Sequence, residues 1–362
     1  MNKHANEIYV SRNMHLRLNS SYSRCSGKGL YVQGEIQHTK AVVPDTIQRN
    51  INRSQFDDEN KLVFGRYDMN DFINTPASKK RIELLKNECN IYPGHYPLLI
   101  NNPHLCDSST IQYIVYTPIR PKKFKTREII RQTWGHNGVY HGYTIRHFFL
   151  LGEEFGFYQN SSQLIEESEK YKDIIQYGYH NSFFNCTLQT LLAMEWVTQF
   201  CPQAKLFVKT NSDVYLNHNK LIQTIDERQL LSQYKYTAGL VIQSNVPDRN
   251  YKSLYYCPSF CNSQGIFDPY IQGSFYIYSS DILPLILQKA KEVSPRTHLE
   301  DIYLSILLKQ LNIQPYPNLP FVETTEHYPS LQVLYFWKSL IAIHHIDDQL
   351  QLDIHNYMNM KN

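Results

Sequence analysis

From Ile111 to Thr237, short apolar runs alternate with longer amphipathic stretches, and this alternation restricts the possible folds more than any other feature. Ile111–Thr117 (IQYIVYT), Ile145–Leu151, Ile174–Tyr177 and the run around Leu206-Phe207-Val208 read as buried strands. Helical stretches lie between them: Thr126–Gly135, with Thr126 as N-cap and Gly135 as stop, then Ser162–Tyr171, then a long one from about Asn185 to Phe200. A further helix begins near Asn219. Strands and helices in strict alternation with short links call for a mostly parallel sheet flanked by helices, an α/β fold. Beyond Thr237 the pattern changes to a loop-rich region, Val246–Tyr270, followed by the strand-like YIYSS, a helix from Asp281 and a helix from Glu300 to Leu311.

The first 75 residues are polar, weakly periodic and rich in Asn, Ser and Arg, and read as a tail or stem with little core of its own. Residues 76–362 carry the folded domain, led in by helical character at Ser78–Asn87 and an extended stretch marked by Pro93, Pro97 and Pro103. The domain is long enough for a sizeable core. An apolar share of 42% is modest, but 28 tyrosines add amphipathic burial. Net charge is only +3, and the densest basic patch (Lys122, Lys123, Lys125 and Arg127) is too small for a nucleic-acid backbone. It suits an anionic small molecule. No apolar run reaches the roughly 18 residues of a membrane-spanning helix, and the N-terminal stretch lacks the apolar core of a signal peptide.

Asn-x-Ser/Thr acceptor sequences stand at Asn19, Asn52, Asn160 and Asn185, a number only modestly above chance in a chain so rich in Asn and Ser. The seven cysteines show neither a CxxC pair nor zinc spacing. Cys186 and Cys201 fall near opposite ends of one expected helix, roughly 22 Å apart at the standard rise, and cannot pair with each other. Cys89 with Cys106, and Cys257 with Cys261, are expected bridges in an oxidising compartment. In a reducing one these residues are small buried hydrophobes.

The stretch AKLFVKTNSDVYLN, Ala204 to Asn217, holds the first chemical signal. Its apolar run breaks into Asn211-Ser212-Asp213, which places an amide and a carboxylate at the end of a buried strand. Ligands of open α/β sheets bind in the crevice beyond the strand carboxyl ends. An Asp there can ligate a hard divalent cation that also holds phosphate oxygens. Asn, Ser and Asp are equally the commonest turn residues, so the triplet acquires meaning only from its neighbours.

Those neighbours fall into an order. TREIIRQTWG, FFLLG (Phe148–Gly152), the helix start at Asn185-Cys186-Thr187-Leu188, VKTNSDVYLN, PYIQGSFYIYS (Pro269–Ser279) and LEDIYL (Leu299–Leu304) follow one another as in one family. From about Pro97 onward the chain resembles the β-1,3-galactosyltransferases and β-1,3-N-acetylglucosaminyltransferases of glycosyltransferase family 31. KTxSD with HLEDIYL is most similar to the galactosyltransferase branch.

The resemblance implies a GT-A type nucleotide-sugar-binding fold and an inverting transfer of a hexose, galactose or N-acetylglucosamine, from a UDP-sugar. The acceptor would be a glycan on protein or lipid. It matches Asn211-Ser212-Asp213 to an acidic turn whose last position, Asp213, binds Mn²⁺ (or Mg²⁺) bridging to the diphosphate. It gives Asp301 of the Glu300-Asp301 pair the role of base, although carboxylates at a helix start also serve simply to complement its dipole. His344 in IAIHHI aligns with a late histidine of the family that serves as metal or diphosphate ligand, with His345 beside it leaving the register open. Arg127 and Arg131, one helical turn apart, are placed beside the nucleotide, where they either contact the diphosphate or pin helix to sheet by a salt bridge. Trp134 is expected in the core. Arg249 of PDRNYKSLYY and Gly273 of YIQGSF are expected to line the donor and acceptor cleft.

Departures from the family pattern are specific. Asn211 replaces an aspartate and brings no charge, so metal affinity is expected to fall. Phe275 replaces a glycine and is expected to reshape the acceptor side; Leu254, Tyr255 and Ile271 also differ. The family is held in the Golgi membrane by an N-terminal helix, so a Golgi location is expected, with the anchor lying outside this sequence. The competing reading is a catalytically silent family member that binds glycans or a protein partner.

Overall fold

The computed structural model describes residues 96–362, apart from 155–160, 251–252, 258–260, 294, 296, 317–318, 320, 323–333 and 360–362. All of these fall in one compact unit, Pro76–Asn362. The expectations for the first 75 residues, for Ser78–Asn87, for Cys89 and for Asn19, Asn52 and Asn160 lie outside the described residues.

Four strands form the parallel centre of an eight-stranded sheet: β2 (Ile111–Pro118), β4 (Tyr143–Glu153), β5 (Ile174–His180) and β6 (Ala204–Thr210). Around them stand β1 (Leu98–Ile100), β3 (Gly138–Tyr140), β8 (Thr237–Ile242) and β9 (Tyr270–Ser279), all antiparallel to their neighbours, in the order β1-β5-β4-β2-β6-β9-β8 with β3 on β4. The central strands read as almost unbroken apolar runs because both of their faces are covered. Successive residues feed opposite sides. Tyr113, Val115, Leu206 and Val208 meet Trp134 and Leu221 on one side. Ile114, Tyr116 and Phe207 meet Leu191, Trp196 and Tyr303 on the other. The expected α/β class, a mostly parallel sheet flanked by helices, is what is found.

Helices α1 (Phe124–Thr133), α2 (Ser161–Tyr171) and α3 (Cys186–Phe200) cross between the parallel strands, and α4 (His218–Glu227) follows them. α1 begins two residues before the expected cap: Lys123 occupies that position, and the Thr126 hydroxyl donates instead to Asp348, 3.2 Å away. Later elements are α5 (Leu283–Glu292), α6 (Glu300–Gln310), α7 (Leu334–Ser339) and α8 (Asp348–Asn359). A small second sheet joins β7 (Tyr215–Leu216), β10 (Phe321–Val322) and β11 (Ala342–Ile343), with β11 antiparallel to β7.

One expected bridge is replaced. Cys106 pairs with Cys201, 95 residues away, with Cα atoms 5.3 Å apart. The register explains this, because Ile111 of β2 lies opposite Ala204 of β6, so the chain segments leading into the two strands arrive side by side. The Cys257–Cys261 bridge is present as expected, and Cys186 is the free cysteine among the described residues.

α1 is fastened by charge. The Arg127 side chain is wholly buried; its Nε and one terminal nitrogen donate to Glu167 at 2.9 and 2.6 Å, and the carbonyls of Arg120 and Pro121 take two further bonds. Arg131 donates to Glu167 at 2.7 Å and to both oxygens of Asp173 at 2.7 and 2.9 Å. Removing one partner from such a network leaves an uncompensated buried charge. Glu167→Ala is expected to lose about 3–5 kcal/mol of stability by that mechanism, and Glu167→Gln, which keeps an acceptor, clearly less. Urea denaturation of both variants checks this.

Candidate active site

β6 delivers its last residues to the carboxyl end of the sheet, with parallel β2 on one side and antiparallel β9 on the other. The chain then turns at Asn211-Ser212-Asp213, beside the boundary between β2 and β6, from which the chain leads to β4 on one side of the sheet and to β8 on the other, the place where open sheets hold ligands. The turn is held on three sides. The Asn211 amide donates to the Ser274 carbonyl of β9 at 2.9 Å. The Ser212 carbonyl accepts from Gln351 Nε2 of α8 at 2.9 Å, and the Asp213 carbonyl accepts from the Ile346 amide at 3.1 Å. Gln351 is buried, and its Oε1 accepts from Trp134 Nε1 at 3.0 Å, which ties the turn to α1 as well. Trp134 is a core residue, as expected.

The β7–β11 pairing carries His344 and His345 to the turn. Asp213 Oδ2 lies 3.3 Å from His344 Nε2 and 4.0 Å from His345 Nδ1. One ligand atom from each residue fits within a 4.8 Å span. His344 is buried, whereas the Asp213 and His345 side chains are 48% and 56% exposed. Burial pushes the Asp213 carboxyl up, but the His344 hydrogen bond and the two imidazoles outweigh it and hold the group below the usual carboxylate range. A carboxylate oxygen with imidazole nitrogens is a donor set that first-row divalent metals accept, so these residues fit the expected ion.

A second group of charges sits across β9. Lys209, the penultimate residue of β6, is buried and lies 3.4 Å from Glu300 at the start of α6. Glu300 also accepts from Tyr276 Oη at 2.6 Å, and Lys209 Nζ donates to the Gly273 carbonyl. Glu300 is therefore committed to partners within the protein. Asp301, next along, keeps its carboxyl against Gly273: a Cβ added to that glycine would lie 3.5 Å from Asp301 Oδ2, an ordinary contact. Burial, and then the Glu300 charge, push the Asp301 carboxyl up to about 6, against the pull of the Ile302 amide, Lys209 and Gly273. The first turn of α6 thus holds one acid fixed by partners and one whose proton is exchangeable near neutrality.

The other expected site residues take different places. Arg127 and Arg131 give their donors to Glu167 and Asp173, which is the salt-bridge alternative. Arg249 donates to the Cys257 and Asn262 carbonyls at 2.5 and 2.6 Å and so braces the disulfide-closed loop. Phe275, expected at the acceptor side, is instead wholly buried in the core, because alternation along β9 turns it to the opposite face from Ser274 and Tyr276. Near Asp301, Phe184 (47% exposed) and Tyr255 (61% exposed) flank Phe183 and His298, with ring centroids 4.9–6.2 Å apart. A cavity of about 300 Å³ lined by Trp134, His136, Tyr140, Tyr215, His218 and His355 opens elsewhere, where Tyr113 of the amino-terminal half of β2 meets His218.

Sequence reasoning missed Lys209 and Gln351, and left His345 without a role. A lysine at the end of an apolar strand run was the available signal for the first; nothing in the local pattern marks the other two.

Comparison with known proteins is consistent with this geometry. Residues 125–318 match the family model described as galactosyltransferase. The chain is 32% identical to beta-1,3-galactosyltransferase 1 of Mus musculus and of Homo sapiens over 272 residues, 75% of this chain and 81% of theirs. It is 32% identical to beta-1,3-galactosyltransferase 2 of Pongo abelii over 231 residues, 62% of this chain and 54% of that protein. Through a family match across more than half its length and relatives at this identity, the chain belongs to the galactosyltransferase family.

Proposed function

We propose that the protein transfers a hexose, galactose foremost, from a UDP-sugar to a hydroxyl of a glycan on protein or lipid, with inversion to a β-1,3 linkage. The observation that carries this reading is Asp301. It is a carboxyl held near neutrality beside β9, on an intact Glu300-Asp301 pair. Inverting transfer needs one base at the acceptor, and a base works best when its pKa lies near the working pH.

The balance is simple. The acceptor oxygen attacks the anomeric carbon as its proton passes to the Asp301 carboxylate. The bond from that carbon to the diphosphate breaks, and its electron pair leaves with UDP. Glu300, held by Lys209 and Tyr276, fixes the helix turn that aims Asp301 and raises its basicity. Asp213 and His344 would hold Mn²⁺ (or Mg²⁺), which when bound neutralises charge on the departing diphosphate. Gly273 and the backbone of Asn211 and Ser212 would border the donor. Phe184 and Tyr255 offer ring faces to the acceptor sugar. The Cys106–Cys201 and Cys257–Cys261 bridges favour an oxidising compartment, which supports the Golgi lumen as the setting. Among the described residues no helix is long and apolar enough to cross a membrane.

Three outcomes test the reading. With UDP-galactose, UDP-N-acetylglucosamine and UDP-glucose offered in turn, one donor is expected to bind only in the presence of Mn²⁺. Asp213→Ala is expected to lose that binding; a well-folded protein that binds none of the donors would make it a silent relative. Second, kcat/KM is expected to rise with pH through about 6 as Asp301 loses its proton. Asp301→Asn should still bind the donor but lose transfer by about 10²–10⁴-fold, the usual worth of a positioned base.

The third outcome is thermodynamic. The folded pKa of Asp301, about 6, stands above the ordinary aspartate value of 3.8, so the folded state holds the proton more tightly. Stability from this group is complete below the lower value, declines between the two as the unfolded chain ionises first, and is lost above pH 6. Asp301→Asn should therefore be more stable than the parent at pH 7, by about 1–3 kcal/mol, and nearly equal to it at pH 3.5. Urea titrations at the two pH values measure the difference.

A further inference from the structure

We propose a second sugar site, separate from the Asp213 and Asp301 centre: the cavity between the end of α1, the start of α4 and the end of α8 holds the uncharged terminal residue of a glycan. The proposal goes beyond the transferase reading and does not depend on the reaction that the chain performs.

The fold defines the position. The cavity of about 300 Å³ is lined by His136 after α1, Tyr140 of β3, Tyr215 of β7, Asn219 of α4, and His355 and Asn359 of α8. His218, also on its wall, bonds to Tyr113 near the amino end of β2. The Asn211–Asp213 turn follows the carboxyl end of β6, which runs parallel to β2. The two sites therefore lie toward opposite ends of the central strands.

Charge narrows the ligand. Among the described residues that line the cavity there is no Asp, Glu, Lys or Arg. Burial holds the imidazoles of His136, His218 and His355 below the usual histidine range, so all three are neutral at neutral pH. A nucleotide or an acidic sugar would find no cation there to offset its charge. Nor is this a metal site: among the described residues, Asp213, His344 and His345 are the one group whose ligand atoms come close enough to share an ion.

The hydrogen bonds left open point to a polyhydroxyl ligand. Asn359 Nδ2 donates to the His355 carbonyl at 2.9 Å, which fixes the orientation of the amide, and to His355 Nε2 at 3.1 Å. A neutral ring that accepts at Nε2 carries its proton on Nδ1, and so donates to Tyr215 Oη at 3.2 Å. The Tyr215 hydroxyl hydrogen and Asn359 Oδ1 are then left without partners among the described residues. Tyr140 Oη donates to Asn219 Oδ1 at 3.0 Å, leaving Asn219 Nδ2 open. His136 meets the rings of Tyr140 and His218 and makes no hydrogen bond among the described residues. An apolar ligand would bury these groups unpaired. Sugar hydroxyls donate and accept, and a sugar's C–H face can lie on a tyrosine ring. The volume is at the small end of the roughly 300–1,000 Å³ range of ligand pockets, which suits a terminal sugar rather than a chain.

The test offers the full folded chain the methyl β-glycosides of galactose and N-acetylglucosamine, each carrying a photoactivatable diazirine, and maps the cross-links by mass spectrometry. Cross-links are expected within residues 136–140, 215–219 and 355–359, suppressed by excess unmodified glycoside and retained in Asp301→Asn. They should vanish in Asn219→Trp, which fills the cavity from an exposed position. Asn359→Ala, also at an exposed position, should weaken competition by about 2–10-fold, the usual net worth of one hydrogen bond. A methyl sialoside, which carries a carboxylate, should not compete. Cross-links confined to the surroundings of Asp301, labelling unchanged in Asn219→Trp, equal competition by the sialoside, or no labelling at all overturns the proposal. So does a strong preference for free galactose over its methyl glycoside, which would make the occupant a free sugar. Each of these failures leaves the transferase reading standing, because donor binding and transfer at Asp301 are measured separately.

Discussion

A lysine buried at the end of β6 sets the terms for the rest of this fold. Lys209 is 3% exposed, and an ammonium group so placed needs a counter-charge and hydrogen-bond acceptors close by. Glu300 supplies the charge and the Gly273 carbonyl supplies an acceptor, so the strand before the turn, the strand beside it and the first turn of α6 are drawn to one point. The Asp301 carboxyl owes its position to that convergence. Its pKa follows from burial and from the charge on Glu300, the very residue Lys209 recruits. Structure and chemistry are here the same electrostatic problem solved once.

Much of the architecture could be read before any coordinates, because the parallel centre consists of apolar runs long enough to be unmistakable and separated by helices of the right length. The start of the helix at Glu300-Asp301 was also legible, since two acids opening an apolar stretch mark a first turn. The antiparallel strands were harder. β9 carries Gln272, Gly273 and Ser274 inside it, polar and small residues that conceal half a strand. β8 gives no sign of itself apart from its partner. Its pairing with β9 is tertiary, and no local pattern encodes it.

Side-chain roles divided along a similar line. Spacing puts Arg127 and Arg131 on one helix face but cannot say whether that face meets ligand or Glu167; the buried ion pairs answer that only in three dimensions. The Cys106–Cys201 bridge depends on the register of β2 against β6, which is invisible in cysteine spacing. Phe275 was judged by size, when the side of the strand it occupies decides its effect. In each case the missing quantity was direction, which a sequence gives for regular periodic elements and withholds at their ends.

The hold that Gln351 and Ile346 exert on the Asn211–Asp213 turn has a temporal side. Ribosomes release a chain from its amino end, and the large sheet can pair as soon as β9 has emerged. The turn at its edge would still lack its clamp, because Gln351 lies 139 residues beyond Ser212. His344 arrives just as late. A nascent or C-terminally clipped chain would therefore carry a nearly complete core and an unclamped turn at its edge. The clamped turn is the last feature this molecule completes during its own synthesis and the first it would forfeit to a protease acting from the carboxyl end.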